Sequence, residues 1–278
     1  MGKILVIVDH KDFPADVLKL IDNGLKDGKD NLYLGIVLHE LFAVDGSRAI
    51  IPDLQDTDSP LLSENEQFIS VLSGAFQNDL HEQGFRAERC YGECLDPLGM
   101  VNESAYADLL VMSGRYLEEF FTHPDKRIEF IQTLKNIQCP LLFIPPGFQD
   151  FSEIILLRKS TREMVNTIKS IEAVLSKNLR NAEVSLLCEM PEHEEEFENE
   201  KRLMSFLRQH FRNVGLMMVY DHNMTKEAIR QIQSASFPLL VIDHFSECAF
   251  QEFILPTLRS LGGEHVSFFI GSPNRMPF

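Results

Sequence analysis

The sequence predicts an α/β protein in which alternating strands and helices run through their course twice. Three observations carry this. Short apolar runs that end in polar pairs recur along the 278 residues, as strands buried on both faces of a parallel sheet do. Segments with apolar residues at helical spacing lie between them. The stretch from Asp108 to Pro146, DLLVMSGRYLEEFFTHPDKRIEFIQTLKNIQCPLLFIPP, holds a strand, a polar turn, an amphipathic helix and a second strand. That is a complete parallel βαβ unit, and a similar string returns near the C-terminus.

In chain order, Lys3 to Asp9 (KILVIVD) is the first strand and closes on the polar pair Asp9-His10. Pro14 suits a first helical turn, and Val17, Leu18, Ile21 and Leu25 follow at helical spacing before Gly28. Asn31 to Glu40 is the second strand. Residues 41–63 mix Asp, Gly, Ser and Pro without a period and read as a long surface loop. Ser63 and Glu66 form a capping box for a helix with Phe68, Ile69, Leu72, Phe76 and Leu80 on one face. Phe85 to Glu93 alternates weakly, as an edge strand does. Asp96 and Pro97 occupy the Ncap and N1 positions of a short helix to Ala107. The βαβ unit then completes a first half of five strands, residues 1–146.

After the connection GFQDFS (147–152) the pattern restarts, and residues 153–278 form the second half. EIILL is its first strand, and a helix from Arg162 to Leu179 follows. Ala182 to Glu189 is the second strand. The run from His193 to Arg202 opens another helix, with early glutamates suited to the positive end of its dipole and read as a solvated helix start. Asn213 to Asp221 is the third strand, Thr225 to Ala235 a helix, and Phe237 to Asp243 the fourth strand. A helix with Phe250, Phe253, Ile254 and Leu258 should be bent by Pro256. His265 to Ile270 is the last strand. Phe120, Phe121, Phe148 and Phe151 lie in or beside connections and suit an interface between halves or subunits.

Charge narrows the function classes. The formal net charge is −16, and residues 1–150 hold 12 Lys or Arg against 25 Asp or Glu. Binding along a nucleic-acid backbone needs a basic surface, so nucleic acid is excluded as a partner. No apolar run is long enough to span a membrane. The N-terminal run is too short for a signal peptide, and Val6 breaks the myristoylation pattern, so the chain is read as cytoplasmic. Five cysteines, Cys90, Cys94, Cys139, Cys188 and Cys248, are odd in number and widely spaced, which fits reduced thiols. Cys139 and Cys188 read as core residues.

The opening KILVIVD, the segment ADLLVMSGR and the close CPLLFIPP resemble the first, fourth and fifth strands of the universal stress protein family. The resemblance implies an adenine-nucleotide-hydrolase-like fold: two tandem, doubly wound parallel sheets of five strands, each in the order 3-2-1-4-5. It also implies a ligand crevice outside the carboxyl ends of strands one and four, where the strand order reverses. In nucleotide-binding members that crevice is a phosphate cradle made of an aspartate after strand one, G-x-x-G after strand four and a G-[ST] nine residues later. Glycines there let backbone N–H groups approach phosphate. The first half keeps the aspartate as Asp9. Ser113 and Tyr116 stand where the two glycines belong, Gly114 is one position late, and Lys126-Arg127 replaces Gly-Ser. In the second half Arg158-Lys159-Ser160-Thr161 replaces the aspartate, and Asp243-His244-Phe245 replaces the glycine turn.

The candidate ligand-binding residues are therefore Asp9, His10, Ser113, Gly114, Arg115 and Lys126 in one crevice and Arg158, Lys159, Ser160, Thr161, Asp243 and His244 in the other. Arg158 and Lys159 could hold a small anionic or nucleotide-like ligand, with Ser160 and Thr161 donating hydrogen bonds at a helix start. Asp243 would oppose a polyanion. Asp221-His222, Asp243-His244 and Cys248 follow second-half strands, but no compact four-ligand pattern emerges and no metal is assigned. Cys90 and Cys94 are not C-x-x-C, and no G-x-S-x-G elbow occurs, so no catalytic residue is assigned. The reading is a non-catalytic stress-response protein acting through small-ligand sensing or protein partners. Its halves would pair as an intramolecular pseudo-dimer, with homodimerisation also compatible. The alternative is an ATP- or AMP-binding sensor with weak ATPase activity.

Overall fold

The computed structural model describes residues 2–8, 20, 32–38, 86–89, 97–114, 117, 124–158, 161–175, 179, 182–191, 193–220, 223–261 and 265–272. In chain order its elements are β1 (Gly2–Val8), β2 (Leu32–Leu38), β3 (Arg86–Arg89), α1 (Pro97–Ser104), β4 (Leu109–Ser113), α2 (Pro124–Asn136) and β5 (Leu141–Ile144). The second half continues with β6 (Glu153–Leu157), α3 (Thr161–Leu175), β7 (Glu183–Glu189), α4 (Glu194–His210), β8 (Asn213–Val219), α5 (Met224–Ser234) and β9 (Pro238–Ile242). It closes with α6 (Glu247–Ala249), a π-helical turn (Phe250–Ile254), α7 (Leu255–Leu261) and β10 (Ser267–Ile270). The loop at 41–63 and the helix from Phe68 to Leu80 lie outside the described residues. So does the first predicted helix, apart from Leu20, which is helical and buried.

The predicted pair of separate sheets is corrected by a single sheet in the order β3-β2-β1-β4-β5-β10-β9-β6-β7-β8. Pairing is parallel everywhere except between β5 and β10, which run antiparallel with Phe268 opposite Phe143 and Ile270 opposite Leu141. Each half would otherwise end in a bare edge strand made of large apolar residues, a template for unwanted pairing. Joining the two edges removes both. The join also turns the halves head to tail, so their strand carboxyl ends face opposite rims of the sheet. The weakly alternating segment β3 lies at an outer edge, as its pattern suggested.

Because strand side chains alternate between faces, the two faces carry distinct cores. Ile4, Val6, Leu142, Ile144, Ile154 and Leu156 join α3 and α4 residues on one face. Leu5, Ile7, Leu141, Phe143, Ile155, Leu157 and Phe268 join residues of α2, α5 and the C-terminal helices on the other. Both cores draw on both halves. Phe148 and Phe151, in the connection between the halves, are buried in the first core, and the Phe148 ring meets Phe151 at 4.8 Å and Phe237 at 6.1 Å between centroids.

Pro256 has a visible consequence. A proline has no N–H and crowds the carbonyl four residues back, here that of Glu252. The helix widens into the π turn, in which the Leu255 N–H reaches the Phe250 carbonyl. The Thr225 hydroxyl at the start of α5 donates to the Glu252 carbonyl at 2.7 Å. That contact ties α5 to the π turn.

The shared cores predict one cooperative unfolding transition for both halves. Phe268→Ala at the seam should cost about 3–5 kcal/mol, lowering the urea midpoint of the whole chain. Two separate transitions in the parent, followed by intrinsic tyrosine fluorescence and circular dichroism, would show that the halves fold independently.

Candidate functional site

In the first crevice, Asp9, His10 and Arg115 lie outside the described residues, and Lys126 falls in the first turn of α2. Ser113 ends β4, and Gly114 follows it. The Gly114 N–H donates to the Ile144 carbonyl at 2.6 Å, extending the β4–β5 ladder. The one glycine near the cradle thus spends its amide on the sheet.

The second crevice is better defined. Lys159 and Ser160 lie outside the described residues, whereas Arg158, Thr161, Asp243 and His244 are placed. Arg158 follows β6 directly, and its guanidinium forms an ion pair with Glu200 of α4, whose side chain is 1 % exposed. It also donates to the Thr161 hydroxyl at 3.3 Å. Burial pushes the Glu200 carboxyl above the usual carboxylate range, and Arg158 only partly opposes that. Cys188 of β7 sits beside this pair. Burial first, and then the neighbouring Glu200 charge, push its thiol up to about 11, so it remains an unreactive thiol rather than a nucleophile.

A cavity of about 690 Å³ opens at the strand carboxyl ends, lined by Arg158, Thr161, Glu189, Met190, Glu196, Asn199, Met224, Thr225, Glu252 and Phe253. Among the described residues its lining holds three glutamates against one arginine, and that arginine is paired with Glu200. Within the described lining no uncommitted cation is set against the charge that a nucleotide triphosphate would bring, which needs cations or bare backbone amides.

Asp243 and His244 lie apart from this lining, at the turn after β9. The Asp243 carboxylate, 3 % exposed, accepts the His244 backbone N–H at 2.9 Å. Its main-chain carbonyl accepts the Thr167 hydroxyl at 2.8 Å. Gly271 packs so closely here that a Cβ would collide with the Asp243 carbonyl and the Thr167 hydroxyl, which explains why this position is a glycine. Thus the structure divides the predicted second-half residues into two groups, Arg158 with Thr161 and Asp243 with His244.

Glu200 was hidden in an acidic run that reads as solvated. Glu194, Glu196 and Glu198 are exposed as that reading expects, but Glu200 is not. The available signal was spacing: Glu200 stands three, four and seven residues before Leu203, Met204 and Leu207, all buried, which puts it on the apolar stripe. Glu163, in the first turn of α3, was also missed; its carboxylate reaches to 3.3 Å of His244 Nδ1.

No protein-family model and no curated protein matches the sequence. Among solved structures, a universal stress protein from Archaeoglobus fulgidus superposes with a TM-score of 0.60 at 9 % identity, covering 99 % of this chain and 98 % of that one. A structure assigned to the universal stress proteins from Pseudomonas aeruginosa gives a TM-score of 0.51 at 12 % identity, covering 97 % and 92 %. The chain has the fold of the universal stress proteins along nearly its whole length. No helix among the described residues is long and apolar enough to cross a membrane.

Two outcomes test the Arg158–Glu200 pair. Arg158→Met leaves a buried carboxylate without its counter-ion and should cost about 3–5 kcal/mol, most of it recovered in Arg158→Met/Glu200→Met; urea denaturation of the three proteins measures both. A carboxyl whose pKa is raised by folding contributes stability that is full below its unfolded value, near 4.5, and lost as pH rises through the folded value. The urea midpoint of the parent should therefore fall relative to that of Glu200→Gln as pH rises from about 4 towards neutrality. Parallel pH profiles would show that Glu200 ionises as freely in the folded chain as in the unfolded one.

Proposed function

We propose that the chain is a non-catalytic stress-response protein of the universal stress protein type, built from two tandem units, residues 1–146 and 153–278, and acting through protein partners or a small non-nucleotide ligand. One observation carries this reading: Arg158, the candidate phosphate-binding cation among the described residues of the second crevice, is paired with buried Glu200. The use of the Gly114 amide within the sheet supports it in the first crevice. The two units supply each other's missing sheet edge within one chain, as the halves of a dimer would.

Isothermal titration calorimetry of ATP and AMP into nucleotide-free protein tests the proposal. No saturable heat is expected for nucleotide concentrations up to about 1 mM, a binding free energy weaker than about −4 kcal/mol. Tight saturable binding that disappears in an Asp9→Ala/Arg115→Ala double variant would overturn it and assign a nucleotide to the first crevice.

A further inference from the structure

We propose that Glu163, Asp243 and His244 form a binding site for a divalent transition-metal cation, with zinc the best fit. The site lies where β6 and β9 adjoin, the point at which strand order reverses in the second half, and is built from the first turn of α3 and the turn after β9. One ligand atom from each residue falls within 4.8 Å of the others. His244 Nδ1 lies 3.3 Å from Glu163 Oε2 and 3.3 Å from Asp243 Oδ1.

That nitrogen is buried and makes no hydrogen bond, although two carboxylate oxygens are close enough to accept one. A proton on Nδ1 would be directed at one of them, and neither has the geometry. Without that proton, the imidazole nitrogen and two carboxylate oxygens present lone pairs towards one point, and Asp243 Oδ1 is held there by the His244 main-chain N–H. A cation completes such an arrangement. Tetrahedral zinc with bonds of about 2.0–2.1 Å sets its ligand atoms about 3.3–3.4 Å apart, the separation found on both sides of Nδ1. A small rotation of the Glu163 side chain, which is 47 % exposed, brings the third edge to the same length, and solvent can supply a fourth ligand.

The supporting shell is in place. The His244 N–H orients the Asp243 carboxylate, the Thr167 hydroxyl holds the Asp243 carbonyl, and Gly271 leaves no slack behind it. Ligands held in this way by buried partners are what a metal site requires.

Zinc titrated by calorimetry into chelator-treated, dialysed full-length protein, with magnesium as control, tests the site. One zinc per chain should bind, with at least a tenfold loss of affinity in both Glu163→Gln and His244→Ala and no loss in Cys248→Ser, whose exposed thiol lies four residues beyond His244 in the chain. Cobalt should give a tetrahedral visible spectrum in the parent and lose it in Glu163→Gln, a surface change that leaves the core intact. Zinc should also raise the Tm of the parent and not that of Glu163→Gln. Absence of saturable zinc binding in the parent, affinity unchanged in either Glu163→Gln or His244→Ala, or loss of binding in Cys248→Ser would overturn the proposal.

Discussion

The antiparallel pairing of β5 with β10 governs the rest of the molecule. Both strands are built from large apolar side chains: Leu141 to Ile144 on one side, and Phe268 to Ile270 on the other, are at most 2 % exposed. A doubly wound five-stranded sheet standing alone would leave its fifth strand at an edge, where backbone donors and acceptors need partners. Here each half supplies the partner for the other. The ten strands become a continuous platform with two shared cores, so the burial that stabilises one half includes side chains of the other.

Head-to-tail joining also separates the two crevices. Each opens at the carboxyl end of its own strands, and those ends face opposite rims, so neither can complete the other. Each must be judged on its own residues. In the second, α4 turns Glu200 towards β6 and β7, where it meets Arg158 and Cys188. The resulting cluster is polar, and its charges answer one another within the fold. A buried ion pair of this kind adds little net stability against a well-packed apolar substitute. Its effect is on what the crevice can bind.

Much of the fold was legible because buried parallel strands leave runs such as LLVMS and EIILL that few other elements produce. The bounds shifted by only a few residues: the predicted strand Ala182 to Glu189 is Glu183–Glu189, and the helix predicted from Arg162 to Leu179 is Thr161–Leu175 within the described residues. The single sheet was not legible. Whether Phe268 pairs with Phe143 or ends an edge is decided by long-range complementarity, which no local pattern encodes. The sites were legible only in part. Asp243 and His244 were visible as polar residues after a strand, but Glu163 reads like any acidic residue in a first helical turn. Glu200 could be seen only by placing a charged residue on an apolar stripe, against the usual preference of glutamate for water.

The Arg158–Glu200 pair sets the energetic cost of recruiting Arg158 to a phosphate in the second crevice. A ligand that drew the guanidinium away would leave Glu200 buried without its counter-ion, at about 3–5 kcal/mol. A charge-assisted hydrogen bond contributes about 1.5–3 kcal/mol. A phosphate would therefore need roughly two such bonds merely to offset the lost pair, before overcoming repulsion from the lining glutamates. Protonation of Glu200 would lower that cost, since a neutral carboxyl no longer requires Arg158, and its raised pKa brings that change nearer to neutrality than for an ordinary glutamate. Acidification is thus the condition under which Arg158 is most readily released to meet an anion.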